Sequence, residues 1–159
     1  LPERKLQLVV VGTGRGEATV RAAAEREQVA AATKFTGLRR DIPEVLAAAD
    51  VFVSPTLQEG FSNALLEAMA MARPVIVTDV AGSMEAVTPE RDGLVVPPAD
   101  ALALRAALVR LLDDAALRER LGSAAREAVL ARFTMAHFAA GVQGLYEELV
   151  SKKLGVRSA

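Results

Sequence analysis

Two carboxylates stand eight positions apart in the segment PTLQEGFSNALLE, residues 55–67: Glu59 and Glu67. Ser62 or Asn63 can cap a helix there. Glu59 then falls in the preceding loop and Glu67 about one turn inside the helix, where four positions rise about 6 Å. Between the acids lies a helix N-terminus, whose free N–H groups and partial positive charge suit a diphosphate. Gly60 lets the backbone approach a ligand closely. A carboxylate accepts two hydrogen bonds from a vicinal diol. Carboxylate, anion hole and carboxylate, in that order, fit a molecule with hydroxyls at both ends and phosphates between, as in a nucleotide sugar. The bland alternative is a pair of solvated surface acids. Against it, Leu65, Leu66, Met69 and Ala70 make the helix read as mostly buried, and a buried acid needs a partner.

A second candidate is the glycine-rich turn Gly12-Thr13-Gly14-Arg15-Gly16, after the apolar run LQLVVV. It falls short of a dinucleotide fingerprint: the third glycine comes one position early, and the next strand ends Lys34-Phe35-Thr36-Gly37 without an acid. NAD is therefore disfavoured, and a tight strand-to-helix turn is the plain reading. Arg15, Arg39 and Arg40 also fall at strand ends, where surface charge is the default. Ser83 reads as a helix cap and Glu85 as a surface acid. His137 reads as structural or exposed, and Phe133, Phe138 and Tyr146 as anchors for the last helix.

The elements that must position these residues alternate. Strands are expected at Leu6–Val11, Thr33–Thr36, Asp50–Pro55, Pro74–Thr78 and Leu94–Val96. The first reads as buried on both faces. Helices are expected from Glu17 to about Gln28, from Ile42 to Ala49 behind Asp41, and from Ser62 or Asn63 to about Met71. Others follow at Ser83–Val87, from Ala101 to about Leu112 behind Asp100, at Ala115–Phe133, and from Met135 to about Val150 behind Thr134. The pattern predicts an α/β fold, a doubly wound parallel sheet with extra C-terminal helices. In such sheets ligands sit at the strand C-terminal edge. Residues 1–150 are expected to form one domain and 151–159 a frayed tail.

Composition narrows the function. The 159 residues carry 19 basic and 20 acidic side chains, so no bulk basic field exists for nucleic acid. There is no cysteine and one histidine, which leaves no disulfide, thiol nucleophile or His-rich metal site. No apolar run reaches the roughly 18 residues of a membrane span. Residues 1–5 do not read as a signal peptide, and the expected setting is cytoplasmic. The first residue is Leu rather than Met, which suggests an excised domain.

With these residues in view, the chain resembles the C-terminal, donor-binding domain of family 4 retaining glycosyltransferases, which have the GT-B architecture. The segment Glu59-Gly60-Phe61-Ser62-Asn63-Ala64-Leu65-Leu66-Glu67 is similar to that family's E-x7-E motif. Leu8 to Gly14, Phe35-Thr36-Gly37, Ala49-Asp50-Val51, Pro74-Val75-Ile76 and Gly93 to Pro98 match further family segments in the expected order. The resemblance covers roughly Leu6 to Tyr146. It implies that Glu59 hydrogen-bonds the donor sugar and influences charge at the reacting centre. Gly60, Phe61, Ser62 and Asn63 would meet the sugar and diphosphate, and Glu67 the ribose. Gly12 and Gly14 would line the donor cleft, and the Gly37 to Arg39 stretch would lie near the base. It implies a nucleotide diphosphate sugar as donor, no metal or other cofactor, and retention through an oxocarbenium-like, front-face path.

There are departures. The family's Arg and Lys near the start of this domain have no match, and Arg15 does not replace them. The acceptor-holding N-terminal domain is absent, so the isolated chain is expected to be inactive and to self-associate through an exposed edge. Ala72 and Ala81 stand where glycines are usual. Two competing readings are a non-catalytic nucleotide-binding or structural fragment, and a GT-B-like epimerase or hydrolase, which would want a further acid or base near the sugar.

Overall fold

The computed structural model of the protein describes residues 5–154. It is an α/β fold with parallel sheets, and it divides into two compact units, Leu1–Val45 and Leu46–Ala159.

The first unit pairs β1 (Leu8–Val11) with β2 (Thr33–Gly37) in parallel, joined by α1 (Glu17–Arg26) and a 3-10 turn at Ala30–Ala32. The ladder shifts register between Val10 and Val11, where Gly12 and Gly37 meet. Both glycines have positive φ, 109° and 66°, and the Gly12 N–H donates to the Gly37 carbonyl at 2.8 Å. Glycine is the residue that reaches this region without strain. β1 is not buried on both faces as its apolar run suggests: Leu8, Val9 and Val11 are 54%, 41% and 40% exposed.

α2 (Ile42–Ala47) contains the division between the units. The second unit holds β3 (Phe52–Ser54), β4 (Val75–Thr78) and β5 (Leu94–Val96) as a parallel sheet in the order β3-β4-β5. Between them come α3 (Asn63–Ala70) and α4 (Ala81–Ala86), followed by α5 (Ala101–Asp113), α6 (Ala115–Arg132) and α7 (Met135–Leu154). β4 is the central strand, and all four of its residues are buried. Ile76, Leu94 and Val96 pack with Ala107, Leu111, Leu117 and Leu121 of α5 and α6. Asp100 caps α5 as expected, accepting from the Leu102 and Ala103 N–H groups at 3.0 and 2.9 Å.

Several boundaries differ from the sequence reading. α4 starts at Ala81, with Val80 at its N-cap, so Ser83 is a buried interior residue and not a cap. α7 continues to Leu154, beyond Val150; residues 155–159 of the expected tail lie outside the described residues. Phe138 and Tyr146 do not anchor α7, since both are 66% exposed.

α6 ties the unit together through arginines at helix ends. Arg118 donates to the Leu111 carbonyl near the end of α5 (2.6 Å), Arg126 to Ala70 at the end of α3, and Arg132 to Glu85 near the end of α4 (2.5 Å). Each places a cation where terminal carbonyls lack helical partners.

α3 ends in a Schellman motif. The Ala72 N–H donates to the Met69 carbonyl at 2.9 Å and the Arg73 N–H to the Ala68 carbonyl at 3.0 Å, with Ala72 at φ 55°. A Cβ is strained in that conformation. Ala72→Gly is therefore expected to raise stability by up to about 1 kcal/mol. A higher urea midpoint checks this, and a lower one contradicts it.

Candidate functional site

The β3–α3 connection carries the two acids. Because β3, β4 and β5 are parallel, the chain leaves all three at the same edge. Ser62 is the N-cap of α3: its side chain accepts from the Leu65 N–H at 3.3 Å, and its carbonyl from the Leu66 N–H at 3.2 Å. The first amides of the helix, at Asn63 and Ala64, have no intrahelical acceptor and face outward from the cap. Glu59 lies in the loop, half-buried. Gly60 and Asn63 are exposed, and the space where a Gly60 Cβ would stand is open.

Glu67 corrects the sequence reading. The buried face of α3 is Leu65, Ala68 and Met69, and Glu67 lies on the exposed side. It needs no internal partner because it is not buried. Among the described residues, neither Glu59 nor Glu67 makes a side-chain hydrogen bond or ion pair. Both carboxylates are thus open to an external donor of hydrogen bonds.

The loop that carries Glu59 is held from three sides. The Thr56 hydroxyl donates to the Gln58 carbonyl at 2.8 Å, which tightens the loop on itself. The buried Thr78 hydroxyl, at the end of β4, donates to the Thr56 carbonyl at 2.5 Å. The Phe61 ring packs on Phe133, with centroids 5.4 Å apart, and Arg132 covers the other ring at 4.6 Å. Phe133 is therefore an anchor, but for this loop.

The first unit contributes its own hollow, of about 230 Å³, lined by Gly12, Thr13, Gly14, Gly16, Glu17 and Phe35 among others. Arg39 follows β2 and is engaged already: its Nε donates to Asp41 Oδ1 at 2.8 Å, and its Nη2 to Oδ2. Hydrogen bonding from Arg39 lowers the Asp41 pKa, helped by a backbone hydrogen bond. Asp41 thus spends its carboxylate on Arg39 and not on capping α2. A depressed carboxyl pKa means that the pairing holds above the ordinary carboxylate range and is lost as pH falls through the lowered value. Titration of the Asp41 carboxyl carbon is expected to have a midpoint below that of an ordinary aspartate, and Arg39→Ala to return it upward.

A family model described as glycosyl transferases group 1 matches residues 1–114. The chain belongs to this family. Among curated relatives of this group 1 glycosyl transferase is a GDP-mannose-dependent monoacylated alpha-(1-6)-phosphatidylinositol monomannoside mannosyltransferase of Corynebacterium glutamicum. It is 39% identical over 137 residues, covering 80% of this chain and 35% of the relative. A solved sucrose-phosphate synthase from Thermosynechococcus elongatus superposes with a TM-score of 0.84 at 32% identity, over 92% of this chain and 39% of that one. The Anabaena protein Alr3699/HepE, crystallised in complex with UDP, gives 0.82 at 26% identity, over 92% and 41%. The group 1 glycosyl transferase chain thus spans about a third to two-fifths of the proteins it matches.

In this glycosyl transferase chain, Glu59, Gly60, Phe61, Ser62, Asn63 and Glu67 share one loop and one helix, as their spacing suggests. Gly12, Gly14 and Arg39 belong to the first unit. The sequence reading missed Gly82, the second residue of α4. A Cβ there would stand 2.1 Å from the Gly60 carbonyl oxygen and 2.7 Å from that of Glu59. Ala81 beside it, which stands where a glycine is usual, is exposed. The Ala81-Gly82 pair was visible in the sequence, but its neighbour in space was not. Among the described residues no helix is long and apolar enough to cross a membrane.

Proposed function

We propose that this chain is the donor-binding part of an enzyme that transfers a sugar from a nucleoside diphosphate sugar to an acceptor, with retention of anomeric configuration. The observation that carries the reading is the pair of carboxylates, without partners among the described residues, on either side of the capped N-terminus of α3. Glu67 takes the ribose hydroxyls. The first amides of α3 take the diphosphate, where the helix contributes about half a positive charge. Glu59 takes the sugar hydroxyls, and its charge favours positive charge developing at the anomeric carbon. As the bond from that carbon to the diphosphate oxygen breaks, the oxygen gains negative charge, which the helix end stabilises. The acceptor oxygen enters on the face that the diphosphate leaves and gives its proton to the departing diphosphate oxygen. The reading needs no metal or other cofactor. The acceptor is held by a part of the enzyme outside these residues, so the chain alone binds donor without turnover.

Calorimetric titration of the chain with UDP and with GDP at low salt tests the reading. Binding of one of them, lost in Glu67→Ala, is the expected result. A folded chain that takes neither would overturn it.

A further inference from the structure

Besides the Phe61–Phe133 contact and its own Thr56–Gln58 hydrogen bond, the loop that carries Glu59 is held by β4 and α4. Thr78 is 3% exposed, and its hydroxyl hydrogen-bonds the Thr56 carbonyl, three residues before Glu59. Gly82 is buried at the start of α4, against the main chain of Glu59 and Gly60. Those are backbone atoms, with no flexible end to swing aside, so any side chain at position 82 must push the loop or be pushed by it. The rest of α4 is fixed, since Ser83 and Ala86 are buried and Arg132 binds the Glu85 carbonyl. The loop is the part that has room to yield, because Gly60 is exposed and nothing lies within 4 Å of its Cβ position.

We propose that Thr78 and Gly82 are positioning residues that set where the Glu59 carboxylate stands, so that they govern recognition of the donor's sugar while leaving recognition of its nucleoside diphosphate to α3. This rests on the donor-binding reading above. The two contacts act at different points of one loop. The Thr78 hydroxyl fixes its beginning, at Thr56. Gly82 fixes its middle, at Glu59 and Gly60. Ser62 and Glu67 lie beyond both contacts and are held by α3 itself, through the Ser62 cap and the buried Leu65, Ala68 and Met69. Displacing the loop therefore moves Glu59 and leaves the helix end in place.

The test is calorimetric titration of the chain with UDP, UDP-glucose, GDP and GDP-mannose, for wild type, Thr78→Val, Gly82→Ala and Glu59→Ala. Each positioning variant is expected to weaken the sugar nucleotide about tenfold relative to its own nucleoside diphosphate. Neither is expected to add to the loss in the Glu59→Ala background, because residues acting through one group are not additive. Equal loss for both ligands, or additive loss on Glu59→Ala, overturns the proposal. If the wild-type chain takes none of the four ligands, the donor-binding reading fails by itself. The loop contacts are then decided without ligand: the Glu59 and Gly60 amide resonances must shift in Gly82→Ala while those of β5 stay, and unchanged resonances overturn the claim. Should Gly82→Ala fail to fold, Thr78→Val decides, since it keeps the side-chain shape and replaces only the hydroxyl with a methyl group.

Discussion

Gly122→Ala is expected to destabilise the chain by about 2 kcal/mol, although alanine is the better helix former by about 1 kcal/mol. Gly122 lies inside α6, flanked by Leu121 and close to Ala125, both fully buried. A Cβ on it would stand 2.2 Å from the Ala72 carbonyl oxygen and 3.0 Å from the carbonyl carbon. These belong to the connection between α3 and β4, and Ala72 closes the Schellman motif. Neither the helix nor that connection can move without disturbing packed neighbours, so the added methyl group overpacks the interface. With a urea m-value of about 2 kcal/mol/M, the midpoint should fall by about 1 M. Gly141→Ala and Gly144→Ala in α7 supply the contrast, because nothing lies within 4 Å of either Cβ position. They are expected to raise stability by up to about 1 kcal/mol through helix propensity alone. A Gly122→Ala chain as stable as these two would mean that α6 does not press on the α3–β4 connection.

Glu67→Ala is expected to lower nucleotide affinity at least tenfold. Hydrogen bonds to a charged group contribute about 1.5–3 kcal/mol, which corresponds to roughly 10- to 150-fold. Glu67 is exposed and makes no side-chain hydrogen bond or ion pair within the described residues, so its removal should leave folding nearly unchanged. The affinity loss and an unchanged urea midpoint should therefore be seen together. Glu67→Gln keeps the shape and one acceptor oxygen and should fall between wild type and Glu67→Ala. Added salt should weaken wild type and variant alike, since both keep the proposed contact between the diphosphate and the end of α3. Equal affinity for wild type and Glu67→Ala would remove this carboxylate from the site.

The kind and order of the elements follow from the sequence by itself. Among the described residues, the five strands and seven α-helices expected from the sequence all occur in the expected order, although Ser83 and Asp41 do not cap α4 and α2 and the bounds of α4 and α7 differ. These signals are local: Asp100 caps the helix that follows it, and Ser62 does the same three residues after Glu59. The grouping of Glu59 with Glu67 was legible for that reason, since one loop and one helix carry both. Burial is different, because it depends on what covers a face. The runs LVVV and VIVT look alike, yet Leu8 is 54% exposed while Val75 and Ile76 are 0% exposed. β4 has a strand on each side and α3, α5 and α6 packed against it, whereas β1 has one partner strand among the described residues. For the same reason Phe133 found a partner in Phe61 while Phe138 and Tyr146 found none among the described residues. No local signal marks the arginines of α6, but the fold sets three of them, Arg118, Arg126 and Arg132, on the carbonyl ends of three other helices. Gly82 and Gly122 are required by atoms 22 and 50 residues away in sequence, at Gly60 and Ala72. Spacing along the chain selects the residues that could bind, and packing between distant segments decides where they are held.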